Sequence, residues 1–225
     1  MIDNENILGE LLNGHVAAWC PADMDANALA GVVDDAIAHG VHDISVGTSA
    51  VKIVWPWVEQ TKIQISTRFY VPTRPRGIGA ADASELTMNI NSAFKCGAAC
   101  AQMFMRVIDL GTIVKNLGPI REDLFFNKKL SVGLDICKIE PSDWSDVFDA
   151  LNALGASSVI FAMSHDMGDK SDFVGRFYGA LNAMGTFKGE VHFAPMANPV
   201  RIDQVMRLTE QLRPEKLSNL KFFIG

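Results

Sequence analysis

In the stretch KIQISTRFY, Gln64, Ser66, Arg68 and Tyr70 share one parity, while Ile63, Ile65 and Phe69 share the other. In an extended strand the two sets point to opposite faces, so Arg68 and its polar companions face away from the side that packs on hydrophobic neighbours. The pattern recurs. AACAQMFMR sets Gln102 and Arg106 against Ala101, Met103 and Met105, and KLSVGLDICKI sets Ser131, Gly133, Asp135 and Cys137 against Val132, Leu134 and Ile136. EVHFAPMA contributes His192 and Ala194, and DISVGTS contributes Ser45 and Gly47. Guanidinium groups hold a carboxylate or stabilise an enolate as its charge develops. A carboxylate and an imidazole beside them exchange protons, with pKa values set by burial and by the arginines. Asp135 and His192 are therefore the candidate catalytic pair, and Arg68, Arg106, Gln64, Gln102 and Ser45 are the candidate substrate-binding residues. Two buried arginines exceed what one aspartate balances, which favours a ligand over a purely structural network of Arg68, Arg106 and Asp135. The loop PTRPRGIGAADA adds Arg74 and Arg76, with Gly77 and Gly79 as hinges of a lid over an anion.

These residues need a scaffold that turns several strands to one interior. The chain supplies strand-like and helix-like segments in strict alternation. HVAAWCPA, VHDISVGTS, KIQISTRFYV, AACAQMFMR, KLSVGLDICKI, ASSVIFAMS, EVHFAPMA and LKFFIG read as strands. Between them lie segments such as DANALAGVVDDAIAHG, with Gly40 as a stop, and PSDWSDVFDALNALG, with proline at its start and Gly155 at its end. AVKIVWPWVEQ reads as a short helix with Pro56 in its first turn. Eight βα units of similar length predict a single (β/α)8 TIM-type barrel over residues 1–225, with eight parallel strands. An open doubly wound sheet is the runner-up and would need an edge strand that the pattern does not supply. The final helix is missing on this reading, and the N-terminal ENILGELLN would cover the gap between the eighth and first strands. LKFFIG closes the barrel, placing the carboxylate of Gly225 at the mouth where a phosphate nest would otherwise form. That favours a carboxylate or carbonyl compound over a phosphosugar.

The remaining features narrow the function further. A formal net charge of −6 and the lack of a basic stripe exclude nucleic acid as a main partner. No run reaches membrane-spanning length and no signal peptide is visible, so a cytoplasmic setting is expected. Cys20, Cys96, Cys100 and Cys137 form no CxxC pair. No cofactor is expected. The alternative is a divalent metal on Asp135, His165 and His192, giving a metal-dependent hydrolase or aldolase. A Schiff-base aldolase would need an inward lysine, and Lys221 qualifies only if Phe222 and Ile224 point outward. Lys138 and Lys52 read as surface lysines. Trp55-Pro56-Trp57 reads as packing, or as a subunit contact in a homo-oligomer. A third reading is a non-catalytic binding or scaffold barrel whose interior is filled by its own ion pairs.

DISVGTS after the first helix and FFIG at the eighth strand are similar to the strand endings of ribulose-phosphate-type barrels. LDICKIEPSDW resembles the Asp-Lys-Asp strand of the orotidine-phosphate decarboxylase group, with the lysine displaced by one position and the stretch placed fifth rather than early. What the resemblance implies is the fold. The expected activity is that of a cofactor-independent lyase or isomerase, with aldolase-like or enolisation chemistry on a small anionic metabolite.

Overall fold

The computed structural model describes residues 14–121, 127–162, 173–185, 187–196 and 198–225. Eight strands close into one parallel barrel in sequence order: β1 Val16–Trp19, β2 Asp43–Gly47, β3 Gln64–Tyr70, β4 Cys100–Phe104, β5 Lys129–Asp135, β6 Ser158–Ala162, β7 Glu190–Ala194 and β8 Leu220–Ile224. β8 pairs with both β7 and β1, with Phe222 opposite Val16 and Ile224 opposite Ala18. That closure removes the edge an open sheet would leave and accounts for the apolar run at the end of the chain.

Helices on the outside connect the strands: α1 Ala26–Ala38, α2 Val51–Val58, α3 Ala80–Lys95, α4 Val107–Leu117, α5 Trp144–Leu154, α6 Phe173–Ala183, α7 Pro199–Leu212 and the short α8 Pro214–Leu217. Local chemistry sets their ends. The Asp25 side chain caps α1 by accepting from the Ala28 amide at 2.8 Å. Asn198 caps α7 in the same way, with Pro199 at the first helical position, where the missing amide hydrogen is no loss. Gly155 ends α5 at φ 65°, a conformation that suits glycine. Pro56 differs from the first-turn placement expected for it. It lies in the last turn of α2, and the helix stops two residues later at Val58, because proline cannot donate to the Lys52 carbonyl.

Parity sorts the core into two parts. Ile65, Val132, Phe161, Phe193 and Phe222 point outward into a shell shared with Trp144, Phe148 and Phe177 of the helices. Ala17, Ile160, Ala194 and Phe223 point inward and pack with Trp19 and Phe104 inside the barrel. Beside β1 and β8 a groove of about 240 Å³ is lined by Val16, Ala18, Ile224 and the Val32 and Ala36 face of α1. The segment ENILGELLN, assigned above to that gap, lies outside the described residues. No described helix is long and apolar enough to cross a membrane.

Candidate functional site

Strand register and tilt place the inward residues in successive layers along the barrel axis. The N-terminal end is charged. Lys221 pairs with Asp43, His192 Nε2 bonds Glu190 Oε2 at 2.8 Å, and Lys129 stands 4.0 Å from the same glutamate. Above it Ser158 donates to Ser131 at 2.6 Å, and Cys100 lies 3.2 Å from Ser131. Burial pushes the Cys100 thiol up to about 11 and makes it inert. Next, the Ser45 hydroxyl donates to Gln102 Oε1 at 2.7 Å. Then comes an aromatic plug: Trp19 meets Phe104 and Phe223 edge to face, with ring centroids 5.9 and 6.1 Å apart.

Arg68 lies on this plug. It is 4 % exposed, and its guanidinium carbon sits 4.1 Å over the Trp19 ring. Nη2 donates to the Cys20 carbonyl, and Nη1 reaches the carbonyl and hydroxyl of Ser45 at 3.4 and 3.5 Å. Nε is buried without a partner among the described residues. Burial lowers the Arg68 pKa from its ordinary value, yet an arginine remains charged at neutral pH. No carboxylate among the described residues pairs with it. A fixed buried positive charge whose neighbours are carbonyls, hydroxyls and an aromatic face is suited to receiving an anion.

The other expected site residues divide between two ends of the molecule. Ser45 and Gln102 join Arg68. Asp135 ends β5 half-buried, and its Oδ1 accepts from the Cys137 amide at 3.0 Å, so it stands on the C-terminal side as expected. His192 does not meet it. Register sets Asp135 level with Ala162 and Ala194, two residues above His192, and Phe223 lies against the His192 ring at 5.6 Å. Gln64 is exposed at the N-terminal rim, the far end of β3 from Arg68. Arg106 corrects the parity argument most clearly. β4 stops at Phe104, and Arg106 is the residue before α4. Its Nε and Nη2 donate to the buried Asp109 at 3.0 and 3.2 Å, and Nη2 also donates to the Arg74 carbonyl at 2.6 Å. Asp109 also accepts from the Ile78 amide at 2.9 Å, so this pair clamps the β3–α3 loop instead of lining the lumen. Arg74 is paired with Asp82 at 2.9 Å and is exposed, as is Arg76.

His165 lies outside the described residues, and the structure separates Asp135 from His192. Among the described residues no three His, Cys, Asp or Glu side chains are grouped to hold a metal ion. Lys221 does have the inward parity, since Leu220 and Phe222 face the outer shell, but it sits at the N-terminal end against Asp43. At the C-terminal ends of β6 and β7 the inward residues are Ala162 and Ala194.

Sequence reasoning missed Trp19, whose ring supports Arg68; it read Lys52 as a surface lysine, and Lys52 is exposed. A cavity of about 780 Å³ runs from the C-terminal ends of β2 and β3 down the flank between α2 and α3. Thr48, Ser49, Lys52 and Tyr70 line its upper part, Asn89 and Ser92 its α3 wall, and Arg68 also contributes. The hydroxyl-rich GTS at the end of β2 was the available signal.

No protein-family model matches the sequence, and no curated protein matches it. Solved structures do. A Toxoplasma gondii chain assigned as a deoxyribose-phosphate aldolase superimposes with a TM-score of 0.74 at 13% identity, covering 100% of this chain and 92% of its own. The tetrameric deoxyribose phosphate aldolase of Aeropyrum pernix gives 0.69 at 11%, with coverage of 98% and 93%. The copper homeostasis protein CutC of Streptococcus agalactiae gives 0.62 at 12%, with coverage of 93% and 97%. The likeness is one of fold. Barrels of this kind host unrelated activities, so the chemistry must be argued from the site.

Proposed function

We propose that this barrel is a cofactor-independent lyase or isomerase of aldolase-like character, acting on a small anionic, oxygenated metabolite at its C-terminal mouth. The observation that carries the reading is Arg68: a buried guanidinium on a barrel strand, held by carbonyls and Trp19, with no carboxylate partner among the described residues. Aldolase barrels among the solved structures of the same fold lend support, and their phosphorylated sugars join small carboxylates as candidate substrates. In the lyase direction Asp135 takes the proton of a hydroxyl as the neighbouring carbon–carbon bond breaks. The electron pair moves onto the carbonyl oxygen, and the enolate so formed is held by Arg68. Asp135 then returns the proton to carbon. In an isomerase the same two groups move a proton between adjacent carbons. A Schiff-base route finds no amine at the inward ends of β6 and β7, where Ala162 and Ala194 stand.

The plug of Trp19, Phe104 and Phe223 favours a second reading, in which the mouth binds an anion without converting it. One experiment separates the two. Purified protein is assayed for carbonyl release from deoxyribose phosphate and from small hydroxy-carboxylates, and for binding of the same compounds, alongside Arg68→Met and Arg68→Lys. Loss of turnover by about 10²–10³-fold in the Met variant, as for removal of a preorganised donor, supports the enzyme reading. Binding that needs Arg68 but gives no product supports the binding barrel. A folded Arg68→Met protein with full activity ends the proposal.

A further inference from the structure

Among the described residues, two of the buried polar atoms without partners, His192 Nδ1 and Gln102 Nε2, sit one layer apart in the lumen and are complementary in kind. His192 spends Nε2 on Glu190. Burial lowers the imidazole pKa, so the neutral ring donates there and leaves a lone pair on Nδ1, which has no partner among the described residues. Gln102 has its amide orientation fixed by Ser45, whose hydroxyl donates to Oε1. Its Nε2 hydrogens are left buried and also unpartnered. One atom is an acceptor and the other a donor. They come from β7 and β4, on inward positions.

The barrel layer of His192 is completed by Ala17, Ser66 and Ser131, three small side chains where barrels of this fold carry bulky branched ones. Ser131 is engaged by Ser158 and Cys100, which draws it towards the wall. A donor, an acceptor and serine oxygens at neighbouring inward positions are the partners a buried water needs.

We infer that an ordered water molecule on the barrel axis bridges Gln102 Nε2 to His192 Nδ1, and that through it His192 is a positioning residue for Arg68. The water accepts from the amide and donates to the imidazole. The relay then runs from Glu190 through His192, the water, Gln102 and Ser45 to the Arg68 guanidinium, which touches both Ser45 oxygens. Its bearing on the mouth rests on the reading of Arg68 given above, whereas the water site itself does not. The charged groups that act on His192 are Glu190 on its own strand, Lys221 on β8 and Asp43 on β2. None of them reaches Nδ1.

The test needs no substrate. A high-resolution crystal structure of the full chain is expected to show one water within hydrogen-bonding distance of both atoms. Nitrogen NMR should report the Nε2–H tautomer of His192. Gln102→Leu should move the His192 titration midpoint by about half a unit or more and speed hydrogen exchange at Arg68 Nε by about tenfold. If that variant does not fold, Ser45→Ala, which frees the Gln102 amide and removes one hydroxyl contact of Arg68, should give a smaller shift of the His192 titration midpoint. A direct bond between His192 and Gln102, a side chain lying between the two atoms, or an unchanged titration and exchange in the folded variant would overturn the proposal. Because every readout is taken without ligand, failure of the mouth reading leaves these results standing.

Discussion

Gly133→Ala is a one-methyl change that the barrel interior should not absorb. Gly133 sits inward on β5, and a Cβ built there would lie 2.3 Å from Cδ1 and 2.6 Å from Cε1 of Phe104. The Phe104 ring occupies the side-chain space that glycine leaves. It cannot withdraw freely, because it stands edge to face with Trp19 and stacks on Tyr70 at 5.4 Å, and Trp19 in turn lies under Arg68. Overpacking of this kind costs about 1–3 kcal/mol. In a chain of this size each kcal/mol shifts the melting temperature by roughly 2–4 °C, so scanning calorimetry should register a drop of about 2–12 °C. Replacing Phe104 by Leu in the Gly133→Ala background removes the part of the ring that clashes, and the double mutant should be more stable than the sum of the single effects by about 0.5–3 kcal/mol. A Gly133→Ala protein that melts with the wild type, or a Phe104→Leu change that gives no relief, would refute the packing argument.

Two further outcomes follow from named contacts. As pH falls below about 6.5 the unfolded chain takes up a proton that buried His192, with its lowered pKa, resists, so stability declines by up to ~1.4 kcal/mol per pH unit for that proton. Glu190, drawn down to about 2 first by its hydrogen bond to His192, adds a second loss between pH 4.5 and 2. Denaturant titrations at several pH values should show both slopes, and His192→Gln should flatten the upper one. Asp109→Ala strips the Ile78 amide and Arg106 of their acceptor and should cost about 1–3 kcal/mol. Amide exchange at Ile78 should rise as the loop loosens, and less so in Asp109→Asn.

How far these features were legible depends on which coordinate of a residue is asked for. Parity is local, and it holds: Ile65 and Phe69 pack outward, while Ser66 and Arg68 point in. Height along the axis is not local. Asp135 and His192 have the same inward sense, but their relative level follows from pairing across β5, β6 and β7, which no single strand encodes. Gln64 went to the opposite rim for the same reason. Arg106 failed at a boundary, since alternation carries no meaning once the strand has ended, and RVID already held the Asp109 that neutralises it three residues on. Trp19 escaped notice because WCP reads as the end of a strand, while its role depends on Arg68, far along the chain.

The aromatic plug gives the charge distribution its meaning. Trp19, Phe104 and Phe223 pack together in the lumen, and the inward carboxylates Asp43 and Glu190 lie towards its N-terminal end, already matched by Lys221, Lys129 and His192. Neither of these carboxylates pairs with Arg68. A buried guanidinium with a nearby carboxylate would be neutralised and weakly attractive to any ligand. Here the cation is held by dipoles and a ring face, which offset its desolvation without cancelling its charge. Among the described residues Asp135 is the inward acid at the C-terminal ends of the strands, tethered through one oxygen to the Cys137 amide. On the proposed reading, an anion entering from the C-terminal side meets a guanidinium that no described carboxylate pairs with, while the described ion pairs lie at the other end of the lumen. That separation is why the proposed chemistry is assigned to Arg68 and Asp135 and a positioning role to His192.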